Sequence, residues 1–189
     1  DRGQLSLRYN GRAISAAIHA YASLLIQNLW NDSTNLRWGR IEREGHLLRA
    51  TGTSRRFPFR THWTIDPQRP GELLWTIDLE ALEPLNVQEY QASVMLVEEY
   101  ASWQTAKESG VFPAIQPEDE DWVHLNQEYA PGDFIHARGN GLPAVTLRGE
   151  SAAIPLRMTP LNPGANQRAR VLQALRPADH GPMHFARGT

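Results

Sequence analysis

The sequence predicts an all-β protein, an antiparallel two-sheet β-sandwich with few or no long helices. The first observation is a period of two in the apolar side chains, carried by Phe57, Phe59, Thr61, Trp63 and Ile65 and again by Leu73, Trp75, Ile77 and Leu79. Alternation of this kind is typical of a strand that buries one face. The second is the turn PQRPG between the two runs, which predicts a β-hairpin.

The third observation is ASVMLV at 92–97, a short and almost wholly apolar run. It suits a strand covered on both faces, although periodicity alone leaves a helix open. We expect it to join the two strands of the hairpin, so that three consecutive strands with large aromatics on the inner face form the core of one antiparallel sheet.

The N-terminal part supplies further strands. Alternation in QLSLRY at 4–9 ends at Asn10–Gly11, a dipeptide typical of tight hairpins, and 12–18 is the return strand. The run YASLLIQNL at 21–29 fits either a short helix or a buried strand. Beyond the loop NDSTN, strands are expected around Trp38 and at 47–51, with a bulge near Gly39.

The C-terminal half is less regular. Residues 104–140 are polar and contain prolines, glycines and the acidic run EDED at 118–121, so we expect a long irregular segment. Strands are predicted at 142–148 and 184–186, a loop at 151–165, and a strand or short helix at 169–175. The total is about nine to eleven strands, which favours a two-sheet sandwich.

Composition limits the class of protein. The 189 residues fit a single domain, 1–189, and a start at Asp1 without methionine predicts a domain excised from a longer multidomain protein. A formal net charge of −2 argues against nucleic-acid binding. No apolar run is long enough to span a membrane. Nothing in the sequence distinguishes a cytoplasmic from a cell-envelope location.

The sequence shows no signature of a metal centre, a cofactor site or a known catalytic motif. There is no cysteine, no HExxH, no GxSxG and no phosphate-binding loop. We therefore predict no catalytic residue, no metal and no cofactor. His62, opposite Trp63 in the hairpin, is either a solvent-facing strand residue or a histidine that contacts sugar or acts as a general acid. His124 is either a loop histidine that caps backbone groups or a sugar contact.

Tryptophan is enriched, and aromatic faces stack on the apolar faces of sugar rings. The strand patterns predict that Trp38, Trp63 and Trp75 are core residues. Trp103 and Trp122 bracket the irregular segment and are predicted to be exposed. Together with Arg56, in the turn before the hairpin, and the two histidines His62 and His124, they are the candidate carbohydrate-binding residues.

Several stretches together resemble the galactose mutarotase-like supersandwich β-domain. They are GQLSLRYNGRAIS, WNDSTNLRW, EGHLLRATGTSRRFPFRTHWTI, GELLWTIDLEALEPLNVQEYQASVMLVEEYASW, GLPAVTLR and NQRARVLQAL. More narrowly, the chain is similar to non-enzymatic-looking versions that sit beside glycosyltransferase, polysaccharide deacetylase or methyltransferase modules in large bacterial proteins. The resemblance implies a concave groove suited to glycans.

The sequence departs from the enzymes of that family. They carry an Asn-His motif, a second histidine and a late catalytic glutamate, whereas here no glutamate follows Glu150 and no Asn-His pair is present. We therefore expect a non-catalytic carbohydrate-binding or accessory module of a bacterial glycan-related protein, whose partner is a saccharide or a neighbouring catalytic domain. The alternatives are a divergent sugar epimerase or lyase-like enzyme and a structural or interaction domain, which can form a homodimer through sheet edges.

Overall fold

The computed structural model describes residues 3–127, 133–149 and 156–189. In these residues it shows nineteen strands, as follows: β1 Arg8–Tyr9, β2 Arg12–Ala13, β3 Ser15–Ile26, β4 Leu29–Asp32, β5 Arg37–Trp38, β6 Glu42–Glu44, β7 Leu47–Thr53, β8 Phe59–Arg69, β9 Glu72–Ala81, β10 Leu85–Val87, β11 Glu89–Val97, β12 Tyr100–Thr105, β13 Ser109–Val111, β14 Val123–His124, β15 Phe134–Gly139, β16 Val145–Arg148, β17 Arg157–Asn162, β18 Ala169–Arg176 and β19 Met183–Phe185. Two short 3-10 helices, Ser33–Asn35 and Ala178–His180, are the only helical segments there. The predicted all-β, antiparallel fold is confirmed.

The chain forms two compact units. The first contains Leu24–Gln88, Gly181–Thr189 and the N-terminal Gly3, and the second contains Gln4–Ser23 and Glu89–His180. Strand β3 runs from the second unit into the first. The prediction of a single domain over 1–189 stays a prediction.

The first unit is built on the predicted hairpin. Strands β8 and β9 pair antiparallel with Trp63 opposite Ile77, and the turn between them contains Gly71 at φ +81°. The sheet order is β5-β7-β8-β9, with β6 also paired to β7, and β10 pairs with β19 in a separate two-stranded sheet. Because side chains alternate along β8, Phe59, Thr61 and Trp63 are buried on one face while Arg60 and His62 lie on the other.

Three tryptophans form the aromatic cluster of this unit. Trp63 is 6% exposed, and its ring meets those of Trp38 and Trp75 edge-to-face, with both centroid distances 4.7 Å. Edge-to-face contacts match the positive edge of one ring to the negative face of another. The prediction that these three tryptophans are core residues is confirmed for Trp63, and the other two are half-buried.

The second unit contains the small antiparallel pair β1-β2 and two larger antiparallel sheets. The larger has the order β14-β17-β18-β11-β3, and the smaller has the order β13-β12-β15-β16. Every residue of β18 is buried. On one face of the larger sheet Tyr21, Met95, Leu161, Ala169 and Val171 form a core cluster. Strands β12, β15 and β16 contact β17 and β18, so the two larger sheets of this unit pack as a sandwich.

Several local predictions are wrong. The run at 92–97 is a strand, but β11 pairs with β18 and lies in a different sheet from β8 and β9. The segment 104–140 is not irregular throughout, since it contains β13, β14 and β15. Strand β17 lies in the segment 151–165 that was expected to be a loop. Residues 128–132 and 150–155 of these two segments lie outside the described residues.

Two ambiguous predictions are resolved as strands. The run at 21–29 belongs to β3 up to Ile26, and 169–175 belongs to β18. The nineteen strands exceed the predicted total because many have only two or three residues. Such short pairings leave little periodicity in a sequence.

Candidate functional site

The outer face of the smaller sheet in the second unit carries a polar depression. It has a volume of about 300 Å³ and is lined by Ser102, Trp103, Gln104, Ser109, Gly110, His136 and Arg138. The pairing register explains how these residues meet. Ser102 lies opposite Arg138, and Gln104 lies between Ser109 and His136 on its two neighbouring strands. Residues that share a parity on adjacent strands point to the same face.

A fixed hydrogen-bond chain runs across this depression. Arg138 donates Nε–H to Nε2 of His136 at 2.7 Å, and Nδ1 of His136 lies 2.8 Å from the Thr146 hydroxyl oxygen. Since a guanidinium only donates, Nε2 must be unprotonated and Nδ1 carries the hydrogen. Burial lowers the pKa of His136 below its ordinary value, and the charge of Arg138 lowers that pKa further. His136 is therefore a neutral imidazole that holds Arg138 in place.

The other polar groups of the depression are uncommitted. In the described part of the chain the side chains of Ser102, Gln104 and Ser109 have no hydrogen-bond partner. Together they supply two hydroxyls and a carboxamide, which both donate and accept hydrogen bonds. Such a set can bind a ligand that is rich in hydroxyl groups.

Trp103 lies beneath this surface. It is 5% exposed, so the prediction that it is exposed is wrong. Its indole packs against Gly110 on the neighbouring strand, where a Cβ would lie 2.7 Å from Cζ2 of the ring. The tryptophan lines the depression but offers no open face for a sugar ring to stack on.

The remaining predicted residues of the second unit lie at the edge of the larger sheet. Trp122 is 38% exposed, which confirms its predicted exposure, and it directly precedes β14. Nδ1 of His124 is 3.1 Å from the hydroxyl of Thr159, which donates to Oδ1 of Asn126 at 2.7 Å. Burial lowers the pKa of His124. These contacts tie His124 to β17.

Arg56 and His62 belong to the first unit. Arg56 is exposed, and its backbone N–H donates to the Ser54 hydroxyl at 3.2 Å. Nδ1 of His62 is 3.0 Å from Oγ1 of Thr51, and its Nε2 is 3.1 Å from Oε2 of Glu80. The predicted binding residues thus divide between the two units, and their role in ligand contact stays a prediction.

The sequence reasoning missed Ser102, Gln104, Ser109, His136 and Arg138 as binding residues. A period of two was present in FIHARG, which puts His136 and Arg138 on one face. The sequence did not indicate that β15 pairs with β12, because strand partners far apart in the chain leave no local signal.

In the described residues no group of three or more histidines, cysteines or acidic residues is placed to hold a metal ion. No helix in those same residues is long and apolar enough to cross a membrane.

Comparison with known proteins gives no relative: no family model matches the chain, and no curated protein or solved structure is significantly similar to it. The strands and sheets by themselves define the class of the protein, which is all-β with antiparallel sheets. The resemblance to the galactose mutarotase-like domain stays a prediction.

Proposed function

We propose that this chain is a non-catalytic saccharide-binding module of a bacterial glycan-related multidomain protein. The observation that carries the proposal is the polar depression, in which two hydroxyls and a carboxamide have no partner in the described protein and an arginine is held in a fixed orientation. Sugar hydroxyls need donors and acceptors at fixed positions, and the sheet backbone fixes the spacing of the side chains that supply them.

The test is calorimetric titration of the whole chain with a panel of bacterial mono- and oligosaccharides. Gln104→Ala combined with Ser109→Ala removes two free side chains of the depression and should weaken binding about 10-fold, since each lost hydrogen bond contributes roughly 0.5–1.5 kcal/mol. The matched control is Gln68→Ala, an exposed glutamine in the first unit. Equal affinity of the double variant and the control would place binding elsewhere. If the panel gives no binding, docking to a neighbouring domain replaces this proposal.

A second candidate, an acid–base enzyme that acts on a sugar, is favoured by the chain of groups around His62. Thr51, His62 and Glu80 form a hydroxyl–imidazole–carboxylate series on the polar face of β7, β8 and β9, and Arg60 lies 3.6 Å from the same carboxylate. The Glu80 carboxylate on Nε2 orients the imidazole, and the Thr51 hydroxyl on Nδ1 is the group with which the ring can exchange a proton. This arrangement supplies one general base, whereas opening a sugar ring also needs an acid. Asp78, opposite His62 on β9, is the candidate for that acid.

His62→Gln and Asp78→Asn test the second candidate. Proton NMR of freshly dissolved sugars measures the rate at which anomers equilibrate. An enzyme predicts acceleration by the native chain and a loss of at least about 100-fold in either variant, the usual size of a general acid or base contribution. A rate equal to that of buffer with the native chain contradicts it.

A further inference from the structure

The strands that form the polar depression contain no acidic residue. Their sequences are YASWQT in β12, SGV in β13, FIHARG in β15 and VTLR in β16. They contribute Arg138 and Arg148, both exposed, and the half-buried His136. The chain as a whole has a formal net charge of −2, so a face with two arginines and no carboxylate is a local excess of positive charge.

Five exposed arginines elsewhere in the described residues form ion pairs with acids. Arg12 lies 3.2 Å from Glu99, and Arg168 lies 3.1 Å from Glu98. Arg138 differs from them, because its only partner in the described part of the chain is the neutral imidazole of His136.

The acids that flank these strands are largely committed to other groups. Glu98 and Glu99, before β12, hold the two arginines just described. Oε2 of Glu108, before β13, accepts the backbone N–H of Gln127 at 3.0 Å. Asp133 directly precedes β15 and is exposed. It has the opposite parity to His136, which places it off the outer face of this sheet.

The hydrogen bond to His136 also orients the guanidinium. It uses the Nε–H, which leaves the four N–H groups of the two terminal nitrogens. Two parallel N–H groups match the two oxygens of a carboxylate, which gives a bidentate contact. Ser102 lies directly opposite Arg138, so a hydroxyl is available beside this cationic group.

We infer that the depression selects an acidic saccharide, in which Arg138 binds a sugar carboxylate while Ser102, Gln104 and Ser109 bind the hydroxyls. This inference rests on the proposed saccharide-binding function and names the class of ligand for the same site. Arg148 lies on the outer face of β16, opposite Phe134 of β15, and adds positive charge that attracts such a ligand.

The experiment compares matched ligands. Acidic oligosaccharides, such as oligogalacturonates, are titrated beside the same compounds after reduction of their carboxylates to alcohols. The native chain should bind the acidic form at least about 10-fold more tightly at low salt, and the difference should shrink as sodium chloride screens the charges. Arg138→Gln should abolish the difference, and Arg187→Gln, which removes an exposed arginine from the first unit, should preserve it.

The outcomes separate the inference from the function it rests on. Equal binding of acidic and reduced forms, with both lost in the Gln104→Ala and Ser109→Ala double variant, overturns the acidic selectivity and leaves the saccharide-binding function in place. Binding of neither form overturns both. Preference for the acidic form that survives Arg138→Gln overturns the assignment to this arginine. Displacement of the acidic sugar by sodium sulfate at matched ionic strength, but not by sodium chloride, supports an anion contact.

Discussion

Arg138 donates its Nε–H to Nε2 of His136, two residues earlier on the same strand, across 2.7 Å. This contact decides which nitrogen of the imidazole carries the hydrogen, because the guanidinium has no acceptor to offer. It also explains how an arginine on an open sheet face keeps a defined direction. Both consequences can be measured without any ligand.

Nitrogen-15 NMR of the native chain should show His136 protonated at Nδ1 and unprotonated at Nε2 near neutral pH. In Arg138→Gln the pKa of His136 should rise toward its ordinary value, because the charge that lowers it is removed, although burial remains. A pH titration of the ring signals measures the change. Arg148→Gln, on the neighbouring strand, is the control for a general change of charge. An unchanged or lower pKa in Arg138→Gln would show that the charge of Arg138 does not act on this ring.

Gly110→Ala tests the wall of the depression. The added Cβ would lie 2.7 Å from Cζ2 of the buried Trp103 ring, closer than nonbonded carbons approach. The ring must shift, and we expect a loss of about 1–3 kcal/mol in the free energy of unfolding, as in overpacked cores. Urea denaturation measures it. Gly39→Ala is the control, because the nearest atom to a Cβ there is 3.6 Å away. A stability loss no larger than in the control would mean that the indole can move freely.

Trp63→Ala should be among the most damaging substitutions in the first unit. Its ring is buried between Trp38 and Trp75, so truncation leaves a cavity and removes two edge-to-face contacts. We expect a loss of about 3–5 kcal/mol in unfolding free energy, and a smaller loss for Trp63→Phe, which keeps an aromatic ring. Thermal unfolding followed by near-ultraviolet circular dichroism measures both. Similar losses in the two variants would show that ring contacts contribute little.

The sequence could predict those features that depend on neighbours in the chain. The parity of Trp63 and Ile77, with a glycine turn between their strands, was enough to predict β8 and β9 and the polar position of His62. It was not enough to place β11, because strands that are wholly apolar do not show which partner they will pair with. For the same reason the site was missed. Gln104 and His136, 32 positions apart in the chain, are opposite each other only because their two strands pair in one register.

The hydrogen bonds of the buried Arg170 give a prediction about stability. It is 5% exposed, and Nη1 donates to the carbonyl of Pro113 and to Oδ1 of Asn162, each at 2.7 Å. Its guanidinium also lies 5.4 Å from the centroid of the Phe112 ring, and burial lowers its pKa. Arg170→Met keeps most of the volume but leaves the Asn162 oxygen without this donor.

We expect Arg170→Met to cost about 1–3 kcal/mol of stability, the usual penalty for a buried polar group that loses its partner. Guanidinium chloride denaturation measures the change. The double variant with Asn162→Leu removes the stranded amide oxygen but also the Nδ2 donor of Asn162 to the Pro113 carbonyl, so it should cost less than the sum of the two single changes without regaining native stability. Greater destabilisation of the double variant than the sum of the two single changes would contradict the pairing of these two residues.

The pH dependence of stability should follow His124. Its Nδ1–H donates to the Thr159 hydroxyl, and burial lowers its pKa below the ordinary value of about 6.5. The unfolded chain therefore binds a proton at higher pH than the folded chain, and stability rises with pH in this range. The contribution of neutral His124 is fully present above about pH 6.5 and is lost as the pH falls toward the lowered folded pKa.

His124→Asn removes the titrating ring while its amide can still donate to Thr159. Between pH 7.5 and 5.5 the urea midpoint of the native chain should fall more than that of the variant. His136, whose pKa is also lowered, contributes in the same direction, so the double variant with His136→Asn should show the flattest profile. Parallel profiles for the native chain and His124→Asn would show that His124 titrates alike in the folded and unfolded states.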